Sequence, residues 1–416
     1  MLRSMSLHNF KSFGDVTLDL NGKAQSIKSH AFIYGENGSG KSSLIDALFL
    51  LMAVSGKYVS YKEDKDPKTD AEIDDAPRQL AKRMRMIDAE GNMSIDLKVK
   101  TKGSDARYFI EFDADGNIVN ETLESRLNSR KGLLYKIEKG ESPYLSRDLI
   151  KDKRLRDDIR SELSQYWGNR SFIRILNKDI EKSNSTFVAE NINGNLLDFL
   201  RWMDSTVIDS KSFSIMTRSL PLPNGILRAE YERHLDRVEE VLSSLLTRLC
   251  SDVTGAFFEK KRKDDAIEYK LVIRRRIYGK IREVPAEFES TGTMRMMYVM
   301  SALLSCVEGR TVFIDEIDSG IHDLLMTSVM EQAIPEIKGQ LVATTHNTCL
   351  MDALSAENVY VIGIDRDGFK EIRCVSSIER IRKKNSIRHK YYEGNFLGIP
   401  YVADLGLSEL SDEGEI

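Results

Sequence analysis

The segment FIYGENGSGKSSLIDALFLL, Phe32 to Leu51, places three glycines, one lysine and a pair of serines between two apolar stretches. Gly35, Gly40, Lys41 and Ser42 satisfy G-x-x-x-x-G-K-[ST], with Gly38 inside the motif. Such glycines let the backbone curl until successive N–H groups face inward and make a nest for an anion. A helix starting near Lys41 adds unpaired amides and the positive end of its dipole at the same spot. Lys41 then reaches the outer phosphates of a polyphosphate, and the Ser42 hydroxyl ligates Mg²⁺. The competing reading is a glycine-rich turn before an ordinary helix. The buried-strand pattern of HAFIY and the helical run SLIDALFLLM favour the phosphate loop.

Three further clusters lie in the second half of the chain. TVFIDEID is an apolar strand ending in Asp315 and Glu316, and acids at such strand ends face the crevice where parallel sheets bind ligands. Asp315 is placed to hold Mg²⁺ through its water shell, and Glu316 to accept a proton from an attacking water. One helix earlier, ESTGTMRMM sets Ser290, Thr291 and Gly292 before a helix. By itself that is an N-cap. ATTHN ends the next strand in His346, which can hydrogen-bond a terminal phosphate.

This order of motifs resembles the ABC-type ATPases, in particular SMC-like and RecF-like heads. It looks closest to the compact ATPases of the overcoming-lysogenization-defect and abortive-infection type found in bacterial antiphage systems. LHNFKSFGD at the start, ESTGT in place of a leucine-serine-glycine-glycine signature, DEIDSGIH after the strand and YYEGNFLGIPYVADLG near the end carry the likeness. The resemblance implies an α/β P-loop head with an antiparallel β subdomain and a mainly helical insertion, using ATP and Mg²⁺. It implies that Gly35, Asn37, Gly38, Ser39, Gly40, Lys41, Ser42 and Ser43 hold the phosphates, with Lys11 near the nucleotide. Asp315 would hold the metal, Glu316 the attacking water, and His346 would act as the switch. Ser290 and Gly292 would touch the γ-phosphate bound by a second copy, and Asp318 would belong to the loop crossing that interface. Gln79, in APRQLAKRM, would be the glutamine that joins the metal shell.

The elements that must position these residues divide the chain into four parts. Residues 1–120 read as the N-terminal lobe, 121–252 as a mainly helical insertion, 253–376 as the C-terminal lobe and 377–416 as a basic segment with an acidic tail. Within the first part, the polar run YKEDKDPKTDAEIDDAP reads as a mobile surface loop. Alternating helices and strands after residue 290 point to a parallel sheet covered by helices. Asp365 and Asp367 form a D-x-D pair, but an Asp-Gly between apolar strands is what a hairpin turn requires. LNKDIEK places its aspartate one position early for guanine reading, which leaves adenine as the better base.

At 416 residues, 41% hydrophobic and 30% charged, the composition is that of a globular protein with room for one large core or two modest ones. The formal charge of −4 gives no global attraction to nucleic acid. A local patch, Arg380, Arg382, Lys383, Lys384, Arg388 and Lys390 with two tyrosines, leaves nucleic acid, an acidic partner surface or a merely solvated helical face open. Four scattered cysteines without a C-x-x-C pair suit a reducing cytoplasm and give no zinc site. No signal peptide is read at the N-terminus, and the longest apolar run, ALFLLMAV, is too short to cross a bilayer. The expected activity is ATP hydrolysis coupled to pairing of two copies, serving antiphage defence through a separate effector such as a nuclease. A DNA repair or recombination ATPase and the nucleotide subunit of a membrane transporter are the alternatives.

Overall fold

The structure, a computed structural model, describes residues 1–56, 60–61, 70–127, 130–210, 213–215, 223–378, 386–396 and 398–399. Alternation in the first residues gives β1 (Leu2–Phe10) and β2 (Phe13–Asp19), an antiparallel pair with Phe10 opposite Phe13. β3 (His30–Gly35) is buried from Ala31 onward, as a strand covered on both faces must be. It feeds the glycine loop and then α1 (Lys41–Val54). α1 touches both β1 and β3, and every residue of SLIDALFLLMAV is buried, Asp46 included. β4 (Ser60–Tyr61) and α2 (Asp70–Met84) follow. The stretch read as a surface loop is therefore helical from Asp70 onward, and residues 62–69 lie outside the described residues.

β5 (Met93–Lys100), β6 (Asp105–Phe112), β7 (Ile118–Leu127), β8 (Arg130–Glu138) and β9 (Tyr144–Leu145) complete a seven-stranded antiparallel sheet ordered β2-β1-β5-β6-β7-β8-β9. The lobe boundary expected at residue 120 thus falls inside β7, and the sheet runs on to Leu145. Glu121, fully buried, shows why the cut fails there. Its Oε1 accepts the hydroxyls of Tyr108 (3.1 Å) and Tyr135 (3.0 Å), and its Oε2 accepts Trp167 Nε1–H (3.2 Å) and the Phe172 N–H (2.7 Å). Burial pushes this carboxyl up while the four donors pull it down. One side chain thereby ties the sheet to the helices that follow.

Those helices are α3 (Lys153–Tyr166), α4 (Phe172–Lys182), α5 (Ser185–Asn191) and α6 (Gly194–Ser205), each begun by a side-chain cap from Asp152, Ser171, Asn184 or Asn193. β10 (Val207–Asp209) and β11 (Phe213–Ile215) then return to the central sheet. β12 (Asn224–Arg228), α7 (Glu232–Leu249), β13 (Val253–Lys263), β14 (Ala266–Ile277) and β15 (Lys280–Pro285) form a small separate sheet with α7 packed on β13. The remaining elements are α8 (Thr291–Val307), β16 (Thr311–Ile314), α9 (Asp323–Ala333), β17 (Gln340–Thr344), β18 (Val359–Ile364), β19 (Lys370–Cys374), α10 (Val375–Ile378) and α11 (Ile387–Tyr392). The central sheet runs β19-β18-β3-β17-β16-β10-β11-β4, and its middle members β18, β3, β17, β16 and β10 pair in parallel. Asp365 Oδ1 accepts the N–H groups of Asp367 (3.0 Å) and Phe369 (2.8 Å), making the turn between β18 and β19. Among the described residues no helix is long and apolar enough to cross a membrane.

Candidate nucleotide site

The carboxyl ends of β3, β17 and β16 lie side by side, so the glycine loop, His346 and Asp315 share one edge of the sheet. Gly38 (φ +80°) and Gly40 (φ +105°) take left-handed backbone, and a Cβ on Gly40 would lie 2.5 Å from Phe13 Cζ. Asn37 and Gly38 are exposed at the tip, Ser39 and Ser43 are buried, and Ser42 is half-buried at the start of α1. Lys41 Nζ donates to the carbonyls of Gly35 (2.8 Å) and Glu36 (2.9 Å). A second lysine, Lys370 on the edge strand β19, donates to the Gly38 carbonyl at 2.7 Å. Desolvation lowers the pKa of Lys370 while Glu36 opposes that shift. From the far end of the chain, Gly398 (φ +97°) rests on the loop, where a Cβ would sit 3.4 Å from Gly35 Cα and 2.7 Å from the Ile362 carbonyl oxygen.

Asp315 is 2% exposed. Its Oδ1 accepts the Thr344 hydroxyl at 2.5 Å, whereas its buried Oδ2 has no hydrogen-bond partner among the described residues. Thr344 Oγ1 also accepts the Glu316 N–H at 2.7 Å. Glu316 itself holds φ at +46°, a strained value for a residue with a side chain. Burial raises the pKa of Asp46 on α1; Lys11 pulls against this, and the charge of Asp315 pushes the same way as burial. An unpartnered buried carboxylate oxygen fits a divalent cation. Mg²⁺ keeps several waters and takes few protein carboxylates.

The remaining motif residues sit on adjoining loops. Ser290 is exposed and caps α8, its Oγ accepting the Thr293 N–H at 3.1 Å. Gly292 packs on Gly320 so closely that a Cβ would lie 2.4 Å from the Gly320 oxygen. The Asp318 carboxylate accepts the His346 N–H at 3.2 Å through Oδ2, and its buried Oδ1 has no hydrogen-bond partner among the described residues. The ESTGT loop, the Asp318 loop and the end of β17 therefore touch within one chain.

Two further expected positions make contacts of their own. Gln79 is on the exposed side of α2, not at a strand end, and its amide donates to Asp75 at 2.8 Å. Its position follows from Asp70–Met84 being helical. Lys11 engages the Asp46 carboxylate at 2.5 Å, so it braces the base of the α1 helix. Sequence reasoning missed Thr344, Lys370, Asp209 and Arg295, all of which act across strands or between distant segments and leave no local pattern. Of the basic patch, Arg380, Arg382, Lys383 and Lys384 lie outside the described residues, while Arg388 faces Asp352 at 3.5 Å. An open groove of about 600 Å³ between β8 and α3, lined by Lys139, Arg160 and Trp167, shares no residue with this site.

A phosphate-loop strand in a parallel sheet, an Asp-Glu pair at the end of a nearby strand, a lateral antiparallel sheet and a capped helix behind ESTGT define an ABC-type P-loop ATPase head. More narrowly, the chain belongs to the family described as "AAA domain, putative AbiEii toxin, Type IV TA system", whose model matches residues 31–352. It is 21% identical over 241 residues to the Septu protein PtuA of Bacillus thuringiensis, a match covering 53% of this chain and 55% of that protein. The chain thus spans about half the length of this curated relative. Among solved structures it is similar to an Smc head bound to the C-terminal winged-helix domain of ScpA (TM-score 0.46, 13% identity, 89% of this chain and 96% of that one). It is also similar to the SMC head domain from Thermotoga maritima (TM-score 0.40, 15% identity, 90% of this chain and 98% of that one).

Proposed function

We propose that the protein hydrolyses ATP, and that ATP-dependent pairing of two copies regulates a separate effector, such as a nuclease, in antiphage defence. The observation that carries the hydrolytic reading is the unpartnered Oδ2 of Asp315, buried at the end of β16 on the same sheet edge as the phosphate loop. Ser42 and Asp315 are the residues that would hold Mg²⁺, which supplies charge neutralisation of the phosphates when bound. Lys41 exchanges the Gly35 and Glu36 carbonyls for phosphate oxygens. Glu316 takes the proton of the attacking water, with its backbone fixed by Thr344. His346, exposed beyond β17, hydrogen-bonds the terminal phosphate.

Pairing follows from what one copy leaves uncovered. Ser290 is exposed, Gly292 lies in the first turn of α8 behind it, and Asp318 sits on the adjoining loop. A second copy offering this surface would cover the γ-phosphate, so two nucleotides would bridge two heads and hydrolysis would release them. The defence role rests on the family and on the likeness to the Septu protein PtuA. Phosphate release from ATP by the wild-type chain, Lys41→Ala and Glu316→Gln tests the chemistry. Lys41→Ala should bind ATP weakly, whereas Glu316→Gln should bind it normally and turn over at least about a hundredfold more slowly. Undiminished turnover by Glu316→Gln would remove that residue from its role.

A further inference from the structure

Arg295 lies five residues after Ser290, in the second turn of α8, and its side chain is largely buried. Its Nη1 pairs with the Asp209 carboxylate. Its Nη2 donates to two consecutive carbonyls, those of Asp315 (2.9 Å) and Glu316 (3.2 Å). Asp209 ends β10, and its own carbonyl accepts the Asp315 N–H at 2.7 Å. One planar cation therefore joins the end of β10, the Asp-Glu segment and the helix behind ESTGT. A guanidinium can do this because its fork presents several N–H groups in fixed directions, which a lysine cannot match.

The consequence concerns Glu316. Its backbone is strained at φ +46° and held from both sides, the N–H by Thr344 Oγ1 and the carbonyl by Arg295. The start of α8 is held firmly as well. Arg275 pairs with Glu289 at 2.7 Å and donates to Thr293 Oγ1 at 3.3 Å, and Thr293 in turn hydrogen-bonds Ser290 Oγ at 2.9 Å. Ser290 and Arg295 are thus two points on one stiff body.

We infer that Arg295 is a positioning residue that couples the two nucleotide sites of a pair. This inference rests on the sandwich reading above, in which Ser290 of one copy meets the other copy's γ-phosphate. Engagement there sets α8, and Arg295 passes that setting to the backbone of Glu316 in its own site. Each copy then cleaves ATP efficiently only while its α8 is docked on the other's nucleotide. An ion pair that merely neutralised Asp209 would not require the second nitrogen to be aimed at the Asp315 and Glu316 carbonyls.

The test measures ATP turnover against ATP concentration for the full chain, Arg295→Ala and Arg295→Lys, with melting temperature as a control for folding. Arg295→Lys keeps a charge for Asp209 and loses the fork, so it guards against simple misfolding. Wild type should give a Hill coefficient approaching 2, and both variants a coefficient of about 1 with kcat at least about tenfold lower. Light scattering of Glu316→Gln with and without Arg295→Lys separates the two layers of argument. Pairing that persists in ATP while coupling is lost supports the inference. Wild-type kcat and Hill coefficient in a folded Arg295→Lys would overturn it, as would a non-cooperative wild type that nonetheless pairs. Absence of any ATP-dependent pair in Glu316→Gln would instead overturn the sandwich reading itself.

Discussion

Thr344 donates its hydroxyl to Asp315 over 2.5 Å and receives the Glu316 N–H on the same oxygen at 2.7 Å. One hydroxyl thereby orients the acid that would hold the cation and the backbone of the acid that would take the proton. Thr344→Val keeps the shape of the side chain and removes both bonds. Leaving these buried groups unpaired costs about 1–3 kcal/mol, so kcat should fall about ten- to a hundredfold. ATP binding in the absence of Mg²⁺ should stay within about threefold of wild type, which isothermal titration with and without EDTA would check.

Gly292 and Gly320 approach so closely that a methyl group on the first would meet the carbonyl of the second at 2.4 Å. Gly292→Ala must push the start of α8, and the ESTGT segment with it, away from the Asp318 loop. The monomer should fold and bind ATP like wild type, because neither loop is in the phosphate cradle. Pairing in the Glu316→Gln background should be weakened at least about tenfold by this shift, a change that sedimentation velocity with ATP would read. Unchanged pairing would show that the two loops do not form the contact surface.

The His30 imidazole, at the start of β3, is held neutral by burial, its pKa lowered to about 4. Asn358 Nδ2 donates to its Nε2 at 2.8 Å, a bond that protonation would break. The unfolded chain binds this proton near the ordinary pKa of about 6.5, so between there and 4 the unfolded state holds more protons than the folded one. The contribution is therefore complete above pH 6.5 and is lost as pH falls toward 4. His30→Gln should have a flatter dependence of melting temperature on pH across that window than wild type. Parallel curves for the two proteins would contradict the shift.

These features differ in how far the bare sequence announces them. The phosphate loop was readable because all its parts lie within nine consecutive residues and depend on local backbone freedom. Asp315 and Glu316 were readable because an apolar strand ends abruptly in acids. The turn at Asp365 to Phe369 followed from its Asp-Gly pair.

Other elements hide for physical reasons. The helix Asp70–Met84 begins in a charge-dense stretch with a proline inside it, at Pro77, so its composition looks like a loop. The sheet beyond residue 120 is marked by one buried acid, Glu121, which as a lone charge suggests exposure until its four donors are seen together. Thr344, Lys370 and Arg295 work through bonds to segments 28 or more, 332 and 20 or more residues away. Spacing along the chain carries no trace of such contacts.

The pairing of two heads around ATP is the claim most open to direct measurement. Multi-angle light scattering of Glu316→Gln should give the mass of one chain with ADP and of two with ATP and Mg²⁺, and Ser290→Arg in the same background should stay at one. A single-chain mass for Glu316→Gln under saturating ATP, or a pair that Ser290→Arg leaves intact, would contradict the account.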